Sequence, residues 1–252
     1  MAHADFPLHR PELLESLCRG DMLLDQAMSS DRRRFRRGDE IIQTGVASDT
    51  VFRLVSGWVA RSRVLQDGRR SIIMMFLPRD LFGVKTFLLT EQPDSIECLA
   101  DAVVLAIKHD QLRQLFETEP SVALRIAFQL GEDERRMHNY IIGLGRASAE
   151  ERIATMLIET HGRLVKAGIC ANGSYSLPLT QQDIGDLVGL TVVHVNRVLR
   201  RLNADGLVSF TRGMVQISDI AALYKKAEPI LDAYERAQPE FGGGDSAPSH
   251  PS

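Results

Sequence analysis

The stretch that decides the reading is Leu179 to Leu202, LTQQDIGDLVGLTVVHVNRVLRRL. Thr180 to Asp183 caps a short helix, because hydroxyl and carboxylate side chains bond the N–H groups that a first helical turn leaves unpaired. The inner face of that helix is Ile184, Leu187 and Val188. Gly189 permits a sharp turn, Leu190 plugs the angle, and Thr191 can cap a second helix. Helical spacing then buries Val195, Val198, Leu199 and Leu202 and leaves Val192, Val193, His194, Asn196, Arg197 and Arg200 outside. Two helices joined through a glycine turn, the second with a basic outer face, form a helix-turn-helix. Beyond it, Leu207–Thr211 and Met214–Ile217 flank Arg212-Gly213 and read as a two-strand wing.

Toward the N-terminus, Ser148-Ala149-Glu150-Glu151 is a capping box that opens a helix carrying Ile153, Met156 and Leu157. Lys166 to Ser176 reads as a glycine-rich polar loop. Pro120 can open a longer helix that runs to about Leu144, proline being preset for the first helical turn. Within it Ile126, Leu130, Met137, Tyr140 and Leu144 fall at three- and four-residue steps, a coiled-coil-like seam interrupted by Asp133. That seam is either a dimer interface or packing within the same domain, and the dimer is the expectation. From Phe35 to about His109 the chain reads as short strands punctuated at Gly38-Asp39, Gly45, Gly57, Asp67-Gly68 and Gly83, a small antiparallel roll or barrel. Asp67-Gly68 is a hairpin signal. After Ile217 one more amphipathic stretch reaches about Ala237, and Phe241 to Ser252 has the composition of a disordered tail.

A length of 252 residues suffices for two domains with cores of their own, and 44% hydrophobic with 25% charged residues is a globular composition. No apolar run approaches the roughly 20 residues that cross a bilayer, and Met1 to Gly20 lacks the apolar centre of a secretory signal, so a cytoplasmic protein is expected. Cys18, Cys98 and Cys170 are odd in number and far apart, which argues against a disulfide framework or a thiolate-held metal cluster. A net charge of −3 is unlike that of a bulk nucleic-acid binder, but a specific reader needs only local positive charge. Arg32-Arg33-Arg34 and Arg36-Arg37 look like a nucleic-acid patch, yet they precede the first strand of the roll and read better as a solvated strand edge.

These segments resemble the Crp–Fnr family, the bacterial cyclic-AMP receptor protein and its relatives. The matching pieces are Leu179-Thr180, Asp183-Ile184-Gly185, Gly189-Leu190-Thr191, Val195-Asn196-Arg197 and Gly206-Leu207-Val208. The family's sensor domain is matched in order and spacing by Gly38 to Ile42, Gly45, Val51 to Gly57, Asp67-Gly68 and Phe82-Gly83, so the resemblance covers Arg32 to Ile217. It implies an α+β chain: an antiparallel, cyclic-nucleotide-binding-like β-roll sensor over residues 1–119, a long dimerisation helix over 120–145, a winged helix-turn-helix over 146–218, and a C-terminal helix and tail over 219–252. It further implies a transcription regulator that binds a palindromic double-stranded operator as a homodimer and works with RNA polymerase.

By the same resemblance Arg197 is the arginine that reads guanine, and Thr180, Gln182 and Thr191 hold phosphates, with Arg200 a further backbone contact. Positions often charged in the family are Val192 and Val193 here, beside His194, so the target differs from the familiar operators. Relatives that bind cyclic nucleotides place a Glu and an Arg-Ser pair on the ribose and phosphate. The matching positions are Val84, Asp94 and Ser95, which argues against cyclic AMP and leaves an unknown small effector or constitutive binding. No cofactor or metal is called for. An enzyme would need a catalytic constellation, which does not appear; a cupin would need strand histidines, and none lies between Phe35 and Lys108. A cyclic-nucleotide regulatory subunit is disfavoured by the helix-turn-helix.

Overall fold

Turn residues break the N-terminal half into eight short strands: β1 (Arg32–Phe35), β2 (Glu40–Ile42), β3 (Thr50–Ser56), β4 (Val59–Val64), β5 (Arg70–Phe76), β6 (Leu81–Phe82), β7 (Ser95–Cys98) and β8 (Ala102–Lys108). In the computed structural model, which describes residues 11–89, 94–170 and 172–231, they form two antiparallel four-stranded sheets in the orders β1-β8-β3-β6 and β2-β7-β4-β5. Strand alternation turns Phe52, Phe76 and Phe82 inward, with ring centroids 5.4 Å apart for Phe52–Phe82 and 5.2 Å for Phe76–Phe82. Leu54, Val59, Met74, Ile96 and Val104 complete this core.

The arginine run departs from its sequence reading in one respect. It does not precede the first strand; Arg32 to Arg34 are in β1 itself, at a sheet edge. Arg32 and Arg34 are exposed, while Arg33 pairs with Asp31 at 2.6 Å and lies 5.5 Å over the Phe52 ring. Charge along an edge strand discourages pairing with another chain. The β4–β5 hairpin turns at Asp67-Gly68, with Gly68 in left-handed backbone at φ 84°.

A helix that the sequence reading did not assign, α1 (Leu14–Met28), lies against the long helix α4 (Pro120–Arg146). Gly20 makes that approach possible: a Cβ there would sit 2.1 Å from the Ser121 carbonyl oxygen. Asp21 accepts from Arg53 at 2.8 Å and from Arg125 at 2.7 Å, tying α1 to β3 and α4. Short helices α2 (Val84–Leu88) and α3 (His109–Thr118) complete this half.

Pro120 opens α4, and the Ser148 capping box opens α5 (Ala149–Lys166), with Ser148 N–H donating to Glu151 at 2.7 Å. Then follow β9 (Ser174–Ser176), α6 (Gln181–Val188), α7 (Val192–Ala204), β10 (Val208–Thr211), β11 (Met214–Ile217) and α8 (Ile220–Ala227). β9, inside the segment read as a loop, joins the wing as its third strand in the order β10-β11-β9. Arg212 and Gly213, at φ 50° and 78°, make the tight turn between Thr211 and Met214. The rest of the C-terminal amphipathic stretch and the tail lie outside the described residues.

Within the chain, α4 spends part of the seam read from the sequence on its own domain. Ile126 is buried in a core with Leu24, Val51 and Val122 of the same chain. Met137 is half-buried against the roll, where it accepts from Arg61 Nη2 at 3.6 Å, and Tyr140 is half-buried and bonded to Ser71. Of the five residues only Leu130 and Leu144 stay exposed. The face of α4 left open in the chain runs through Ala127, Leu130, Gly131, Glu134, His138, Ile141, Ile142 and Gly145, with Ile141 64% exposed and Leu144 beside it. The roll and α1 have claimed the neighbouring stripe.

Candidate nucleic-acid interface

Thr180 closes the N-terminus of α6 through a reciprocal box: its Oγ1 accepts from Asp183 N–H at 3.0 Å, and its own N–H donates to the Asp183 carboxylate at 2.9 Å. Gly189, at φ 66°, ends α6 in left-handed backbone. Gly185 lets the two helices approach, since a Cβ there would lie 2.5 Å from the Leu190 carbonyl oxygen. Thr191 caps α7 by accepting from His194 N–H at 3.4 Å. Val195, Val198, Leu199 and Leu202 are buried, as their spacing requires.

Opposite that buried face, α7 presents Val192, Val193, His194, Arg197 and Arg200 to solvent, with Val193 67% exposed. Arg197 and Arg200 have no carboxylate partner among the described residues, whereas Arg201 pairs with Glu150 of α5 at 3.3 Å. Asn196 departs from its expected place. It is half-buried and donates its amide to Gln181 Oε1 at 3.2 Å, so it braces α7 against α6 rather than facing outward. Gln182 is exposed, and its amide donates to Asp186 at 2.5 Å.

The first helix of the pair is also held from behind by the roll. Arg70 of β5 reaches Asp183, Asp186 at 2.8 Å and Glu97 at 3.2 Å. Arg37 donates to the Pro178 carbonyl at 3.1 Å. Burial pushes the Asp183 carboxyl up, but the bonds from Thr180 and Arg70 outweigh it and hold the group below the usual carboxylate range. The apolar core is continuous across the same junction, from Trp58, Ile72 and Leu77 of the roll to Ile153, Leu157 and Ile184. No sequence signal marks Arg37 or Arg70 as partners of α6, because the pairing spans more than a hundred residues of chain.

In the roll, the residues matched to the nucleotide-binding positions are engaged otherwise. Val84 is buried in an apolar cluster with Leu24 and Leu81. Asp94 is buried and paired with Arg63 at 2.7 Å and with Arg61 at 3.7 Å. Ser95 Oγ lies 3.1 Å from Ser62 Oγ, which donates to Glu97 at 2.6 Å. Among the described residues no group of His, Cys, Asp and Glu could hold a metal ion, and no helix is long and apolar enough to cross a membrane.

A β-roll followed by a long helix and a winged helix-turn-helix whose second helix turns a basic face to solvent defines a DNA-binding transcription regulator. Residues 32–119 match the cyclic nucleotide-binding domain, and residues 151–226 match the Crp-like helix-turn-helix domain. The chain belongs to the Crp–Fnr family of transcription regulators. Over 201 residues it is 27% identical to the transcriptional activator protein FnrA of Stutzerimonas stutzeri, covering 80% of this chain and 82% of that one. It is 28% identical over 175 residues to the nitrogen fixation regulation protein FixK of Azorhizobium caulinodans, covering 69% and 70% of the two chains. The solved structure of FixK2 from Bradyrhizobium japonicum is similar with a TM-score of 0.71 and 28% identity, over 77% of this chain and 95% of that one.

Proposed function

We propose that this regulator binds a palindromic operator as a homodimer, with α7 of each protomer in the major groove. Residues 1–119 serve as the sensor, 120–145 as the dimerisation helix, 146–218 as the DNA-binding unit, and 219–252 as a C-terminal extension. The observation that carries the reading is the outer face of α7, where Arg197 and Arg200 stand exposed and without a carboxylate partner among the described residues, beside Val192, Val193 and His194. Arg197 pairs with guanine O6 and N7. The valines meet thymine methyl groups, and His194 faces a base edge. Thr180, Gln182, Thr191 and Arg200 hold phosphates and so set register rather than sequence. Asn196 contributes by bracing the reading helix. The exposed stripe of α4 from Ala127 to Gly145 supplies the dimer contact.

Cyclic AMP is not the signal, since an anionic phosphate would meet Asp94 where binding relatives offer an arginine. A different small molecule sets operator affinity, and RNA polymerase is the further partner at promoters. No catalytic role is proposed, and the protein acts in the cytoplasm, where its operator is. The test is footprinting of genomic fragments enriched on the full chain, with the mass of the bound species measured by light scattering. The expected result is a two-fold symmetric footprint covered by two protomers. A single protomer on an asymmetric site would overturn the dimer reading.

A further inference from the structure

Between the roll and the helices behind it lies a partly open cleft of about 680 Å³, the space of its solvent-open mouth included. Its floor is one face of α5, on which Arg152, Met156, Thr160 and Arg163 recur at helical spacing, a run of roughly 16 Å at 1.5 Å per residue. Met74 and Met75 of β5, Met137 and Tyr140 of α4, and Val188 of α6 form the walls. Three rigid units, the roll, the long helix and the helix-turn-helix, therefore meet around one space.

Three donors on its lining residues are buried without a hydrogen-bond partner: Arg136 Nε, which lies 3.7 Å from Glu159, and, both on α5, Arg152 Nε and Thr160 Oγ1. Thr160 is 1% exposed. Native proteins pair nearly all such groups, so two of them on one wall point to an acceptor that comes from outside the chain. The charges tell the same way. Arg163 is neutralised by Asp80, and Arg136 by Asp133 at 3.0 Å and Glu159 at 3.7 Å. Arg152 has no carboxylate partner among the described residues; its Nη1 donates only to the Val188 and Gly189 carbonyls, at 2.9 and 3.3 Å. The rest of the lining is mainly apolar and rich in thioethers, which adapt to irregular ligands; its other polar members are Asn139, Thr155 and Glu159, the last held by Arg136 and Arg163 at 3.7 Å each.

We propose that this cleft is the effector site, and that it takes an elongated amphipathic anion: an apolar chain whose carboxylate or phosphate end pairs with Arg152. A second acceptor oxygen, about 12 Å along the chain, meets Thr160, which lies eight residues and so two helical turns from Arg152. Arg152 clamps the carbonyls that end α6, so an anion drawing on its guanidinium shifts the turn that sets α7. The proposal rests on the reading of the chain as a ligand-responsive regulator.

The test is calorimetry on the full chain with decanoate, decyl phosphate, decanol and 10-hydroxydecanoate, with operator affinity measured separately. Decanoate or decyl phosphate binds in the micromolar range, the stronger of the two naming the head group, and decanol binds about tenfold more weakly. Arg152→Gln removes that anion preference, and Arg152→Lys restores most of it. Thr160→Val leaves decanoate unchanged but weakens 10-hydroxydecanoate about threefold. The recovery with Arg152→Lys guards against a variant that fails for lack of folding, and Met156→Trp, which fills the cleft without altering charge, abolishes binding at temperatures where far-ultraviolet circular dichroism matches the parent. No saturable binding of either anion, or equal binding of decanol and the anions, overturns the site whatever the operator result. Binding as described with operator affinity unmoved overturns the coupling to α7, while loss of operator binding by the unliganded chain is a failure of the DNA-binding reading alone.

Discussion

Arg70 Nε donates to Asp186 Oδ2 at 2.8 Å, joining the edge of the β-roll directly to the first helix of the helix-turn-helix. The same guanidinium serves Asp183 and Glu97, and the Asp183 and Asp186 side chains are only 7% and 9% exposed. Removing the cation leaves buried carboxylates without compensation, which costs more than the pair itself contributes. Arg70→Ala is expected to destabilise the protein by about 2 kcal/mol through the junction. Trp58, the one tryptophan, is buried in the core that crosses that junction. Its emission should shift to the red in the variant at temperatures where far-ultraviolet circular dichroism is unchanged. Emission and melting like those of the parent would mean that the ion pairs carry no weight.

Arg197→Ala should weaken binding to the true operator by about 1–3 kcal/mol and binding to random DNA far less. Titrations of both DNAs at one salt concentration measure the difference. An equal loss on each would make Arg197 a phosphate contact.

Ile141→Glu should separate the protomers. The substitution places a charge in the middle of the exposed apolar stripe of α4, where Ile141 is 64% exposed in the single chain and so is not needed for its own core. The dimer dissociation constant is expected to rise at least tenfold, about 1.4 kcal/mol or more, by sedimentation equilibrium. The matching change at Ile126 should unfold the chain instead, because Ile126 is buried within the protomer.

Cyclic AMP and cyclic GMP should give no saturable heat at micromolar concentration with the full chain. Asp94 is paired with Arg63 at 2.7 Å and Arg61 at 3.7 Å and is 3% exposed, so a nucleotide phosphate would have to displace a formed ion pair as well as meet a carboxylate. A micromolar dissociation constant accompanied by tighter operator binding would reverse this conclusion.

Stability should depend on pH through Asp133. Burial pushes its carboxyl up to about 6, although Arg136 lies 3.0 Å away. Because the folded value exceeds the unfolded one, the contribution is fully present below the unfolded value of 3.8 and is lost as pH rises through about 6. Asp21 runs the other way: burial raises it, but Arg53 and Arg125 hold it at about 2, so its contribution is present above 3.8 and lost as pH falls toward 2. Asp133→Asn should therefore raise the melting temperature at pH 7.5, with Arg136 still paired to Asp80 and Glu159, and flatten the slope between pH 4 and 6.5. A variant with the same slope as the parent would place that titration elsewhere.

What the sequence determined by itself is the local grammar of the DNA-binding half. Thr180, Gly189, Thr191 and the alternation of Val195, Val198, Leu199 and Leu202 act within one or two helical turns, so composition and spacing suffice to place both helices and their buried faces. The Ser148 box, Pro120 and the two hairpin turns were legible for the same reason. Tertiary structure alone decided what each exposed face meets. Periodicity shows that α4 has more than one apolar stripe but cannot say which is spent on α1 and the roll, so Met137 and Tyr140 packed inward and Ile141 was left open. Asn196 turned toward Gln181 because α6 crosses beneath it, and β9 became a strand only because the wing offered it an edge. Arg70 with Asp183, and Arg152 with Thr160 around one cleft, depend on how the roll settles on the helices behind it, a long-range choice that no window of the sequence contains.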